Sequence, residues 1–320
     1  MSRLLRVVAL LAPPALLAGA LAAPVPAAAP PPESPVLVSP VGELPPGPPI
    51  SGPHLEGRRT LVDGDVRIRV PADILVVGRT GRAYIVEEYR GNVVDVLRVT
   101  RDGKRRTLAK GVDGSQLSAD GSLLTTSRLV RFRTEVQVLD ARTGRVRARR
   151  TVNEGVWALG VDERRVLLGG VGGSLGGTHL WFHRAGRIKR LSNQSAYIAD
   201  LAAGLYARHT DDADQYSGGC TVIAKIGSGK ELWRNCGASV DDFSADGRSV
   251  LMRATLDGTS ARVRTIRGKR VLRYAVRYPD SLDYAEWDTD GRVLLHVEDE
   301  DGRSVVVACS DLECTRPTTS

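Results

Sequence analysis

One pattern recurs six times at intervals of about 42 residues. Apolar and polar residues alternate between glycine-rich turns, and no stretch carries helical apolar spacing. Together these predict an all-β fold: a six-bladed β-propeller of four-stranded antiparallel blades, closed by an N-terminal strand.

The recurrence is clearest in two near-copies, "LSADGSLLT" from Leu117 and "FSADGRSVL" from Phe243, which stand three steps apart. The steps between hold "LGVDERRVLLGG" from Leu159 and "LAAGLYARH" from Leu201. "LVVGRTGRAYIVEE" from Leu75 lies one step before, and "WDTDGRVLLHV" from Trp287 one step after. Units therefore begin near 75, 117, 159, 201, 243 and 287. In the second unit, "GSQLS", "SLLTTSRLV", "TEVQVLD" and "RVRARRTV" alternate in strand fashion, separated by Asp-Gly and Thr-Gly turns. Four short strands in one such period form a propeller blade.

"FSADGRSVL" and "LSADGSLLT" resemble the repeat of TolB-like and WD40-like bacterial β-propellers, in which a Ser-x-Asp-Gly turn precedes an apolar strand. "LDARTGRV" resembles the Asp-x-x-Thr-Gly hairpin of related propellers. The proline usual before Asp-Gly is missing here, as are the Gly-His and Trp-Asp pairs of eukaryotic WD40 blades. The likeness covers roughly 75–315 and implies a fold, not an activity.

The last unit looks cut short, since only "DLECTRPTTS" follows "SVVVACS". Residues 54–70 read as a hairpin, one strand of which is expected to complete that final blade and so remove open sheet edges. Domain boundaries follow: 1–22 a signal peptide, 23–53 a proline-rich disordered tether, 54–320 the propeller. Arg3 and Arg6 precede the apolar run Val7–Ala23, and Ala20-Leu21-Ala22 offers a cleavage pattern. No cysteine stands near the cut, so a lipoprotein is not expected, and the chain reads as secreted or extracytoplasmic, with no membrane span after cleavage. From Pro24 to Pro53 the composition favours extended polyproline conformations.

The four cysteines are Cys220, Cys236, Cys309 and Cys314. An even number in an exported chain points to disulfides. Cys220 and Cys236 are centred on the turn "IGSGKE", and Cys309 and Cys314 flank "SDLE". Each pair should staple the outer hairpin of its blade. The net charge of +8 comes from arginines spread among acids, with six lysines. A nucleic-acid footprint would be clustered and interleaved with aromatics, so no nucleic-acid partner is expected. The expected partner is a protein or an envelope polymer, met by a monomer.

Short, similar turns fall on one face of such a ring, and the varied loops fall on the other. The binding residues are placed on the varied face: Arg128, Arg131 and Arg133 in the second unit, and His209, Asp211, Asp212, Asp214 and Tyr216 in the fourth. An arginine cluster can grip carboxylates or phosphates. The aspartates are the one place that would admit calcium; otherwise no cofactor or metal is expected. Gly172–Gly176 matches G-x-S-x-G, but the strand-to-helix context that makes Ser174 a nucleophile is absent from the pattern. Trp157, Trp181, Trp233 and Trp287 read as packing residues.

Asp boxes of the sialidase type, quinoprotein tryptophan motifs and an appended hydrolase domain are not found in the sequence, so catalytic residues are not assigned and the chain is expected not to be an enzyme. The alternative is a propeller lyase or hydrolase with acidic residues and His209 at the funnel mouth, joined by Asp241, Asp283 or Tyr284. Peptide mapping without reduction should join Cys220 to Cys236 and Cys309 to Cys314. A peptide linking Cys220 to Cys309 or Cys314 contradicts the hairpin placement.

Overall fold

The computed structural model describes residues 35–38, 40–91, 93–170, 176–210, 219–254, 259–266, 268, 270–299 and 301–318. The signal peptide, Ser174 and the acidic loop at 211–218 lie outside the described residues. Seven antiparallel sheets follow one another along the chain. Sheet 1 has three strands, His54–Glu56, Thr60–Asp63 and Val66–Arg69. Sheets 2 to 7 each carry four consecutive strands, and their first strands are Ile74–Thr80, Gly114–Leu117, Val156–Val161, Ala196–Asp200, Ala238–Phe243 and Ser281–Trp287. The fold is therefore a seven-bladed β-propeller.

The blade count corrects the six expected from the recurrence, and its cause is physical. The recurring words mark the turn between first and second strands. Sheet 1 has no such turn, because it lacks a first strand. A Cβ on Gly144, in the outer turn of sheet 3, would meet Leu108 in the fourth strand of sheet 2. The matching turn of sheet 2 places Gly103 over Ile68 in the same way. Ile68 thus holds a fourth-strand position, and 54–69 supply the second, third and fourth strands of their own blade. The last sheet needs no donated strand, since Glu313–Pro317 pairs with Ser304–Ser310 and completes it.

The Asp-Gly turns are scaffolding. In sheet 3, Ser118 Oγ donates to Asp120 Oδ1 at 2.6 Å and accepts Leu123 N at 2.9 Å, while Asp120 Oδ1 accepts Ser122 N at 3.1 Å. In sheet 6, Ser244, Asp246, Arg248 and Ser249 repeat the arrangement. Gly121 has φ +68, and a Cβ there would lie 2.3 Å from the Arg79 carbonyl of the preceding sheet. Aspartate and serine hold the turn, and glycine lets it close against its neighbour.

Neighbouring blades are sewn together at their inner edges. The first strand of each sheet from 3 to 7 donates a backbone N–H to a side chain of the sheet before it. Ser115 N goes to Glu87 Oε1 at 2.6 Å, Ala158 N to Ser127 Oγ at 2.9 Å and Ala196 N to Thr178 Oγ1 at 2.9 Å. Val240 N goes to Tyr197 Oη at 2.8 Å and Trp287 N to Asp242 Oδ2 at 3.0 Å. These inner strands have no neighbour on the channel side, so their N–H groups need such acceptors.

Residues 35–53 do not hang free as a tether. Val36–Leu37 adds a parallel strand to the outer edge of sheet 6, and Pro46–Gly47 adds one to sheet 7. Val38 and Val41 are buried in the core cluster between those sheets, with Val36 and Leu44 packed on it. The prolines explain the surprise. Extended backbone lacking some N–H donors fits an outermost edge, and the few apolar residues among them supply the burial.

Residues 48–53 then cross the seam from sheet 7 to sheet 1. Arg292 Nη1 donates to the Pro48 carbonyl at 3.1 Å, and Nη2 donates to the Pro49 carbonyl at 2.7 Å and Asp288 Oδ2 at 2.6 Å. Asp288 Oδ2 accepts Ser51 N at 3.1 Å. The side chains of Arg292 and Asp288 are 9% and 1% exposed. Removing one partner of such a pair strands a buried charge, so Arg292→Ala should lower the urea-unfolding free energy by about 3–5 kcal/mol.

Candidate functional site

The loop-bearing end of sheets 5, 6 and 7 carries a set of polar side chains on and beside the inner strands. Tyr197, on the first strand of sheet 5, stacks on His209, on the second, with ring centroids 4.3 Å apart. Tyr284 and His296 repeat this in sheet 7 at 3.8 Å. Both pairs span twelve residues in sequence, because each runs up one strand and back down the next. His296 Nε2 is also 3.0 Å from Glu286 Oε1.

Between the two stacks lies the Asp241–Arg253 pair of sheet 6. Arg253 Nε stands 3.3 Å from Asp241 Oδ2, and Nη1 of the same guanidinium reaches the Asp283 carbonyl in sheet 7. The buried Oδ2 has this ion-pair contact but no hydrogen bond. The ladders show why these residues can face the site. The pairing skips Tyr197, Asp241 and Asp283 at three β-bulges in the first strands. A bulge re-aims the extra side chain out of the regular alternation; sheets 2 and 4 skip Val77 and Leu159 in the same way, so sheets 5 to 7 differ in carrying polar residues at that position.

The electrostatics follow from burial. It pushes the Asp241 carboxyl up to about 6, against the pull of Arg253. Asp242 is also raised to about 6 by burial, although Trp287 N and Phe243 N donate to it, and Glu286 and Asp200 add to the rise. Burial lowers His209 below its ordinary value, favouring the neutral ring. Tyr197 and Tyr284 are pushed up to about 12, chiefly by burial, so both stay neutral phenols, and Tyr197 Oη accepts Val240 N. Carboxyls perturbed in this way mark candidate functional sites.

The sequence-predicted residues divide. His209 belongs to this cluster, with Asp241, the Asp283 backbone and Tyr284. Arg128, Arg131 and Arg133 lie apart, at the hairpin tip of sheet 3, all three exposed. Asp211, Asp212, Asp214 and Tyr216 lie outside the described residues, and so does the calcium assignment that rests on the three aspartates. No group of three or more metal-ligating side chains occurs among the described residues. Cys220 pairs with Cys236 and Cys309 with Cys314, with Cα separations of 4.0 and 4.1 Å, each across an outer hairpin as expected. Trp157 departs from its packing assignment: it is 46% exposed on an inner strand, whereas Trp181 is buried.

Sequence reasoning missed the Tyr197–His209 and Tyr284–His296 pairing, for which the shared spacing was the available signal. It also missed a row of buried hydroxyls that begins the third strand of four consecutive sheets, Thr134, Thr178, Thr221 and Ser260. Thr134 and Thr178 each donate to a carbonyl of the connection to the next sheet and accept the first N–H of that sheet's first strand. Thr221 lies 3.3 Å from Tyr197 Oη, which ties this row to the site.

No family model matches the chain. No curated protein matches it. Solved structures do. The β-propeller domain of the trilobed protease from Pyrococcus furiosus, described as having an open velcro topology, is similar with a TM-score of 0.55 at 13% identity over 78% of this chain and 84% of that one. A prolyl endopeptidase is similar with a TM-score of 0.54 at 15% identity, over 76% of this chain but only 41% of its own. TolB from Acinetobacter baumannii reaches 0.44 at 17% identity, over 84% of this chain and 65% of that one, too distant to carry an argument.

At these identities the likeness shows the β-propeller fold alone. It does overturn one expectation. Two of these similar structures come from peptidases, so the propeller gives no ground for setting catalysis aside, and the non-enzyme reading is withdrawn. The two disulfides suggest an oxidising, extracytoplasmic environment. No helix among the described residues is long and apolar enough to cross a membrane.

A carboxyl raised in the folded state contributes stability below its unfolded value, and loses it as pH rises through the folded value. For Asp242 that window runs from the ordinary carboxylate range to about 6. The stability of wild type relative to Asp242→Asn should therefore fall between pH 4 and pH 6 and level off above about pH 7. Urea unfolding across that range checks it, and a flat difference contradicts it.

Proposed function

We propose that this chain is an exported propeller that binds a protein or an envelope polymer in the cell envelope or outside the cell. Its ligand seat is the loop-bearing end of sheets 5 to 7. One observation supports the reading most: at the inner-strand bulge where sheets 2 and 4 carry Val77 and Leu159, three successive blades carry the polar residues Tyr197, Asp241 and Asp283. The seat combines an exposed aromatic, Tyr284 at 45%, with the Asp241–Arg253 and Glu286–His296 pairs. Aromatic faces joined to a few fixed hydrogen-bonding groups are the usual chemistry of a selective binding site. The arginine-spread charge and the disulfides are consistent with an extracytoplasmic monomer delivered by the signal at 1–22. The repeat is best placed with TolB-like and WD40-like propellers on its Ser-x-Asp-Gly turns.

A second reading, a propeller lyase or hydrolase, is favoured by the Asp241 carboxyl at about 6 in the sheet next to the Tyr197–His209 stack, whose histidine ring is kept neutral by burial. A carboxyl at that value can exchange protons near neutral pH. Capture from native envelope extract tests both readings. Wild type should retain a ligand, and Tyr284→Ala and His296→Ala should weaken retention by about tenfold each. Equal retention by the variants moves the seat elsewhere. Conversion of the captured ligand, with a pH profile altered in Asp241→Asn, selects the catalytic reading.

A further inference from the structure

The tip of the second hairpin of sheet 3 breaks the turn rule that its neighbour obeys. Strands Leu123–Val130 and Arg133–Asp140 have eight residues each, against five to seven for their counterparts in sheets 4 to 7. Val130 pairs with Arg133, so only Arg131 and Phe132 form the turn. Their φ angles are 56° and 138°. Two-residue hairpins of this kind normally place Asn-Gly or a similar pair there. In sheet 2 the corresponding turn begins with Gly91 at φ 64°, which meets the rule. An arginine and a phenylalanine at such angles store strain, and strain of that sort collects at working positions.

The tip also exposes what a protein normally hides. Phe132 is 88% exposed, with Leu129 at 40% and Val130 at 42% beside it. Arg128, Arg131 and Arg133 surround them. Arg128 faces Glu135 across the ladder, yet none of the three arginines forms an ion pair among the described residues. In the adjacent sheet, Tyr89 and Val93 flank the corresponding tip at 45% and 47% exposure.

We propose that this tip is a contact for an anionic lipid surface. Phe132, Leu129 and Val130 seat at the headgroup level, and the three arginines bind lipid phosphates. A hairpin tip that projects an aromatic ring suits a soft surface, since it is convex and has no groove to receive a partner's side chain. Apolar residues edged with cations are the composition of interfacial segments, and the guanidinium fork matches phosphate. Without the two arginines of the signal peptide the chain keeps a net charge of +6 (8 − 2), which draws it to such a surface before the tip engages. This proposal does not rest on the ligand seat, which occupies other sheets.

The test uses the chain without its signal peptide, residues 23–320, with vesicles of phosphatidylcholine, alone or with about one third phosphatidylglycerol, in co-sedimentation at two salt concentrations. Wild type should bind the anionic vesicles, release at high salt and ignore the neutral ones. Phe132→Gly should reduce binding by about tenfold. The same substitution should raise the thermal midpoint by about 2–3 °C, because glycine relieves the turn. Loss of binding in a more stable protein cannot be a folding defect. Arg131→Glu with Arg133→Glu should abolish binding. No binding of wild type to anionic vesicles overturns the proposal and leaves the tip to a protein partner. Undiminished binding of Phe132→Gly also overturns it, since net charge alone would then explain adsorption.

Discussion

Closure is the constraint on which the rest of this ring depends, and the Arg292–Asp288 pair enforces it. Sheet 7 is complete in itself, and sheet 1 lacks its inner strand, so no shared strand joins the two. The chain instead runs along the outer edges of sheets 6 and 7 and crosses the seam above them. At the crossing, one guanidinium holds two proline carbonyls while its carboxylate partner holds Ser51 N. A buried pair is expensive to desolvate. Here both ions find fixed partners, and the prolines limit the entropy lost on ordering the strap.

Once the ring is shut, the remaining blades need only local rules. Ser-x-Asp-Gly turns fix one face. The side-chain acceptors at the inner edges fix each blade against the one before it. Both devices lie in repeated elements and leave the opposite face free to vary. The inner-strand bulge is itself repeated, skipping Val77 in sheet 2 and Leu159 in sheet 4, and what varies is the residue placed there: Tyr197, Asp241 and Asp283 in sheets 5 to 7. The raised carboxyls follow, since Asp241 and Asp242 share a strand that the neighbouring blades enclose.

The parts legible in the sequence were those that repeat or that obey a local rule. Alternating apolarity, the Asp-Gly turns and the hairpin cysteines carried the strands, their order and the disulfides. The blade count failed at 54–69 because the recurring words report a turn that a sheet without a first strand does not make. The strap failed for a different reason. Its composition describes an unfolded chain correctly, but composition does not reveal that Val38 and Val41 find a cavity between two distant blades. The site was half legible. His209 stood out as a polar residue beside an acidic loop. Its partner Tyr197 comes from the preceding strand at a bulge, and single bulges leave no mark in an alternating pattern. Arg253 and Glu286 looked like ordinary surface charges until the ring brought sheets 5, 6 and 7 side by side.

Hydrogen exchange of the intact chain, compared with Arg292→Ala, tests the closure at the crossing most directly. If the strap closes the ring, protection should fall first at 281–317 and 54–69, the two sides of the seam, while sheets 3 and 4 keep theirs. Equal protection at the seam in both forms, or a loss spread evenly over all seven sheets, would contradict the account.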